Sequence, residues 1–265
     1  MGLILKPLMT YTVSFQTTTP KVLKETIRIS ATHKEAVESI GYARKNGMST
    51  ATELIFGLPG ETLESWKEVI NNTISYGFDS ICMNPLWLLK GSDLNKSSAR
   101  ESNQYVGKFM VGENAVTHYE DFISIERDEI AVSSKDYTYE DWKTFLKYQI
   151  NILMSAYHGY GRELLYYANN IGIKPIQLFD HMMNKPEKYS TTNQLVNEYV
   201  KTYTNNMFDT EKKLYDYLKK NIEKFKKDKE SLLRLGKARG LLGYIVKYIL
   251  KDPDKKYLRE LKDAI

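Results

Sequence analysis

A single cysteine, Cys82, in 265 residues excludes an intramolecular disulfide and prevents this chain from building a thiolate metal site by itself. No apolar run approaches the roughly 18 residues needed to cross a bilayer, and the amino terminus lacks a basic start followed by a long apolar core. These absences lead to the expectation of a cytoplasmic protein with no membrane partner. Repeats of fixed period and low-complexity tracts are also missing. The length suits one large domain or two small ones, with enough chain for a sizeable core. A strong charge of one sign is lacking as well. The 38 basic and 33 acidic residues leave a net charge of +5, and they interleave between Asp209 and Lys229, as on a solvated helix face. That pattern argues against a nucleic-acid groove. Histidine is scarce: His33 and His181 fall at helix starts or on the surface, and His118 and His158 have no partner at metal-ligand spacing.

What is present is organised around Thr52-Glu-Leu-Ile-Phe-Gly-Leu-Pro-Gly-Glu-Thr62. Leu54, Ile55 and Phe56 form a short apolar run ending at Gly57, which predicts a strand buried in a parallel sheet with no wet face. Pro59-Gly60 has the chemistry of a tight turn, and Thr62 is a helix N-cap. Leu63, Trp66, Val69, Ile70 and Ile74 recur at helical spacing up to Gly77, which suits a left-handed stop. A strand–turn–helix unit of this kind gathers backbone N–H groups at the carboxyl end of its strand, where α/β proteins bind ligands. The same residues also suit a plain connection with good turn chemistry.

Upstream, Leu8–Phe15 has the mixture of a buried strand, and Pro20 opens a short helix carrying Val22, Leu23, Thr26 and Ile27. A second helix is expected from about His33 to Asn46, with Ala36, Val37, Ile40 and Ala43 inward. Ser80–Asn84 is a third strand. The order β-α-β-α-β requires a parallel, right-handed arrangement with Gln16, Glu53, Gly57 and Asn84-Pro85 near one rim. Residues from Lys90 to about Gly107 are polar and predict a loop. Phe122–Val132 holds two short β-like runs around a charged middle, suiting a hairpin or one exposed strand. Asp141–Met154 is strongly amphipathic, Gly159-Tyr-Gly161 interrupts it, and Lys- and Tyr-rich helices fill the remainder.

Gln16, Arg28 and Glu53-Leu-Ile-Phe-Gly-Leu-Pro-Gly-Glu-Thr62 together resemble the second half of a radical S-adenosylmethionine (SAM) core, closest to the cobalamin-binding group. Lys108-Phe-Met-Val-Gly-Glu113 and Tyr139-Glu-Asp-Trp142 look like the region after that core. The likeness is good over roughly the first two fifths of the chain and loose beyond. It implies an α/β fold: residues 1–106 as the carboxyl-terminal half of a partial parallel (β/α) barrel, then a mainly helical extension over 107–265 with a short β segment near 122–132. It also implies that Gln16 and Arg28 contact the ribose and the methionine carboxylate of SAM. Glu53 would lie against the ribose hydroxyls, and Ile55 with the backbone at Gly57 would pack on adenine. Simple chemistry is compatible with these roles, since a carboxylate accepts from vicinal hydroxyls and a guanidinium grips a carboxylate as a fork. Plainer roles stay open: Arg28 pairing with Glu25, Gln16 capping the next helix, Ile55 as core.

The departure from that family is large. Its [4Fe–4S] cluster needs three thiolates from a Cys-x-x-x-Cys-x-x-Cys segment that is not in this sequence, and Cys82 cannot replace them. Any cobalamin domain is missing too. The expectation is therefore a truncated or split radical SAM enzyme, inactive alone, with SAM strands here and the cluster supplied by a missing amino-terminal half or a partner chain. The substrate, a small molecule, is not legible. The alternative is a non-catalytic protein-interaction module on a remnant half barrel. The outer edge of the Leu8–Phe15 strand discriminates: a docking site for the partner if one exists, covered by this chain's own residues if not.

Overall fold

The structure, a computed structural model, describes residues 9–26, 31–118, 123–157, 159–228, 244 and 246–265. Three strands, β1 (Thr10–Thr12), β2 (Ser49–Phe56) and β3 (Ser80–Pro85), form a sheet in the order β1-β2-β3, parallel throughout. Helices α1 (Pro20–Glu25) and α2 (His33–Lys45) make the first crossover and α3 (Leu63–Tyr76) the second. The local signals for these helices work as expected. Thr32 and Thr62 each accept from the backbone N–H three residues on, in reciprocal capping boxes with Glu35 and Ser65. Gly77 closes α3 in the left-handed conformation.

Four expectations are corrected. The first strand, expected over 8–15, spans Thr10–Thr12 and stops short of Phe15, with its side chains exposed; Leu8 lies outside the described residues. β2 is not buried on both sides: Thr50, Thr52, Leu54 and Phe56 are buried while Ser49 and Glu53 are exposed. The reason is that the helices pack on one face only, so side chains of period two alternate between core and open surface. Val37, expected inward on α2, is exposed. The segment taken as a loop from Lys90 folds instead into a three-ten turn (Asp93–Asn95) and helix α4 (Ser97–Asn103).

Beyond α4, β4 (Val106–His118) pairs antiparallel with β5 (Ile123–Ser133), a hairpin longer than the short segment expected near 122–132. This separate two-stranded sheet is joined to the segment after β3: Leu88 N–H donates to the Glu129 carbonyl and Ala131 N–H to that of Leu86. Helices α5 (Tyr139–Ile152), α6 (Arg162–Asn170), α7 (Pro175–Met183), α8 (Ser190–Asn205), α9 (Glu211–Lys220), α10 (Ile222–Lys227) and α11 (Lys256–Asp263) follow, and α5 runs into a π-helical turn at Leu153–Tyr157. None of the helices among the described residues is long and apolar enough to cross a membrane.

The main apolar cluster runs from Phe15 to Leu261 and crosses the boundary expected at 106/107. Phe56 of β2 stacks on Phe145 of α5 with centroids 4.8 Å apart. The side-chain amide of Gln149, also on α5, donates to the Met83 carbonyl of β3 and accepts from the Tyr199 hydroxyl at 2.8 Å. Helix α5 therefore closes the β3 edge. Among the described residues no strand pairs with the outer edge of β1.

Candidate functional site

The carboxyl rim of the sheet is shaped by one irregularity. Val13 N–H donates to the Ala51 carbonyl and Gln16 N–H to the Glu53 carbonyl, both at 2.9 Å. Three residues of the first strand segment are thus matched to two of β2, which is a bulge. Past the bulge Gln16 has φ +60°, a left-handed conformation uncommon outside glycine, and it is held there because its carbonyl accepts from Ile55 N–H at 2.8 Å. Its side-chain Oε1 is buried and has no hydrogen-bond partner among the described residues.

Gln16 is therefore one ladder step from both Glu53 and Ile55. Glu53 is exposed on the open face, in register with Cys82 of β3, and Ile55 is in register with Asn84. Ile55 is half-buried against a second apolar cluster that contains Val22, Leu58, Leu86 and Tyr105. Glu53 and Cys82 also line a cleft of about 510 Å³ over the open face, together with Thr12, Ala51, Tyr157 and Arg162. Arg28, the remaining residue implied for SAM, lies outside the described residues.

Gly57 ends β2 under a roof. Its φ is +100°, and an added Cβ would lie 2.7 Å from the Tyr137 hydroxyl. Its carbonyl accepts from the Tyr105 hydroxyl at 3.2 Å. The turn that follows is closed by Glu61 N–H donating to the Leu58 carbonyl, with Gly60 at φ +80°, as a Pro-Gly turn of type II requires. Gly60 N–H donates to Asp136, and a Cβ there would meet the Glu25 carboxylate at 2.7 Å. The region from Phe56 to Glu61 is wholly buried. Gly57 thus faces this chain's own tyrosines, whereas Gln16, Glu53 and Ile55 share the neighbouring stretch of rim.

Glu61 is the rim residue that sequence reasoning passed over. Its side chain is 0% exposed, and it accepts from Thr17 Oγ1 (2.7 Å), Thr19 Oγ1 (3.0 Å) and Ser65 Oγ. Burial pushes its pKa up, against the opposing effect of these three donors. Only the repeated hydroxyls at 17, 19 and 65 hinted at this, because their partner is 42 to 44 residues away from the first two. At the other end of the sheet Asp79 takes the opposite course. Although burial opposes it, Thr50 hydrogen bonds and the Arg44 guanidinium at 3.1 Å hold its pKa below the ordinary carboxylate value. Arg162 approaches the same carboxylate at 3.4 Å.

Among the described residues no group of three or more His, Cys, Asp or Glu side chains is arranged to hold a metal ion. No protein-family model matches the chain, and no curated protein matches it.

Proposed function

We propose that this chain contributes the nucleoside-facing strand ends of a radical SAM-type core: the carboxyl-terminal half of a parallel (β/α) barrel whose other half is carried upstream or by a partner chain. The observation that carries the reading is Gln16, held left-handed past a bulge with an orphaned buried Oε1, one ladder step from Glu53 and Ile55. Backbone outliers and bulges gather where a fold aims a side chain at a ligand.

The residues suit SAM and not its cluster. Glu53 offers an exposed carboxylate to vicinal ribose hydroxyls, Gln16 an amide to a hydroxyl or a carboxylate, and Ile55 a flat apolar wall. With one cysteine and no metal-holding group among the described residues, the donor set does not fit a [4Fe–4S] cluster. When SAM is bound beside a cluster supplied from elsewhere, it furnishes a 5′-deoxyadenosyl group. This chain's part would be to hold the ribose and to exclude water through the Tyr105 and Tyr137 roof. Among the described residues no strand pairs with the outer edge of β1, and that edge is where a partner carrying the missing strands would dock; the alternative is a self-contained interaction module.

Titration of the isotope-labelled chain with millimolar SAM, followed by amide chemical shifts, tests the proposal. Weak, saturable shifts at Ser14–Gln16 and Glu53–Gly57, lost in Glu53→Ala, are expected. Shifts confined to other elements, or none, would overturn it.

A further inference from the structure

The geometry points to Glu61 as the positioning residue of this rim: a buried carboxylate that sets the conformation of Gln16 by pulling on Thr17 and Thr19, two of the three threonines that follow it. The inference rests on the nucleoside reading only for what Gln16 does, not for how Gln16 is held.

The chain of contacts is short. Gln16 is the last residue joined to β2 by backbone hydrogen bonds, and the next three residues leave the sheet for α1. Left to itself, a glutamine in that place would relax out of the left-handed region, which is strained for any residue with a side chain. Thr17 and Thr19 oppose this. Thr17 is fully buried, Thr19 N–H donates to its hydroxyl at 3.1 Å, and both hydroxyls converge on the two oxygens of Glu61. The third donor, Ser65, belongs to the first turn of α3. One carboxylate thereby ties the segment after β1 to the turn after β2 and to the helix behind it.

Among the described residues no cation shares this work. Among the described residues Glu61 has no ion-pair partner, and the charged groups packed near the turn are Glu25 and Asp136, both against Gly60, with exposed Glu64 in the first turn of α3. The nearby bases are paired elsewhere: Lys21 with Glu25 at 3.8 Å and Lys67 with Glu64 at 2.7 Å. A buried carboxylate without a counter-ion must be satisfied by hydrogen bonds, and these are directional where Coulomb attraction is not. The three hydroxyls are consequently held in one arrangement, and Gln16 with them.

Native-state hydrogen exchange on the ligand-free chain tests this. In Glu61→Ala the amides of Gln16 and Ile55, which close the two bonds across the bulge, should lose protection by about tenfold or more beyond any change in α5. Glu61→Gln, which keeps an acceptor and can exchange donor and acceptor roles with the hydroxyls, should restore most of it. Thr17→Val and Thr19→Val each remove one donor and should give smaller losses of the same kind, which keeps the test open if Glu61→Ala does not fold. Equal loss in Gln16, Ile55 and α5 would make Glu61 a general stability residue and overturn the inference, as would unchanged protection at Gln16. Because no ligand is present, a positive result with no SAM-induced shifts would retire the nucleoside reading and leave the positioning role standing.

Discussion

The two sides of the three-stranded sheet are built on different principles. On the β3 side, helix α5 lies against the strand: Phe145 stacks on Phe56, and Gln149 occupies the Met83 carbonyl. The half-buried carboxylate there, Asp79, is gripped by guanidinium groups. On the β1 side the strand is three residues long, its side chains are exposed, and the nearest buried carboxylate, Glu61, is held by hydroxyls alone. The first arrangement spends apolar area and paired charge on rigidity. The second leaves a directional, weakly covered rim, which is where a fold can present groups to a ligand or to another chain.

The largest effect should come from the closed side. Phe145→Ala removes a fully buried ring that touches Phe56 and Trp66 and should cost about 3–5 kcal/mol of unfolding free energy in urea. Gln149→Leu removes the donor to the Met83 carbonyl and the acceptor of the Tyr199 hydroxyl and should cost about 2–3 kcal/mol, with the m-value unchanged. A loss below 0.5 kcal/mol in either would mean the β3 side is no better closed than the β1 side.

The two carboxylates sharpen the contrast through pH. Asp79 has its folded pKa below the ordinary 3.8, so its contribution is present above that value and is lost as pH falls through the folded pKa. Asp79→Asn should flatten that acid-side loss, by about 1 kcal/mol because the side chain is partly solvated. Glu61 has its folded pKa above the ordinary 4.5, so its contribution is complete below that value and is lost as pH rises through the folded pKa. Glu61→Gln should remove a decline of stability above pH 4.5. Urea midpoints measured across the acid range check both, and slopes of the same sign would break the comparison. The smallest effect belongs to the β1 edge, where Thr12→Ala should change stability by less than about 0.5 kcal/mol.

Much of the scaffold could be read from short-range patterns. The capping residues Thr32 and Thr62, the Pro59-Gly60 turn, the Gly77 stop and the parallel order of three strands follow from chemistry within a few residues, where propensity and turn geometry act. The hairpin was half seen, since β5 carries β-branched runs while β4 begins with Val-Gly-Lys. The polar segment at 93–103 misled because short helices made of serine and asparagine look like loops. At the rim, Gln16, Glu53 and Ile55 could be named from their motif, and backbone hydrogen bonds join Gln16 to the other two. Covering of Gly57 by Tyr105 and Tyr137 could not be foreseen, because those tyrosines lie 48 and 80 residues downstream in the chain.

The sequence by itself determined that one cysteine cannot hold a cluster, and where the helices capped by Thr32 and Thr62 begin, because composition and local hydrogen bonding need no partner from afar. Tertiary structure alone decided which face of β2 stays open, that Gln16 is turned left-handed past a bulge, and that Glu61 is its anchor. Those outcomes depend on which distant side chains arrive at the rim to fill space or to satisfy a buried oxygen, and no short window of sequence contains that information.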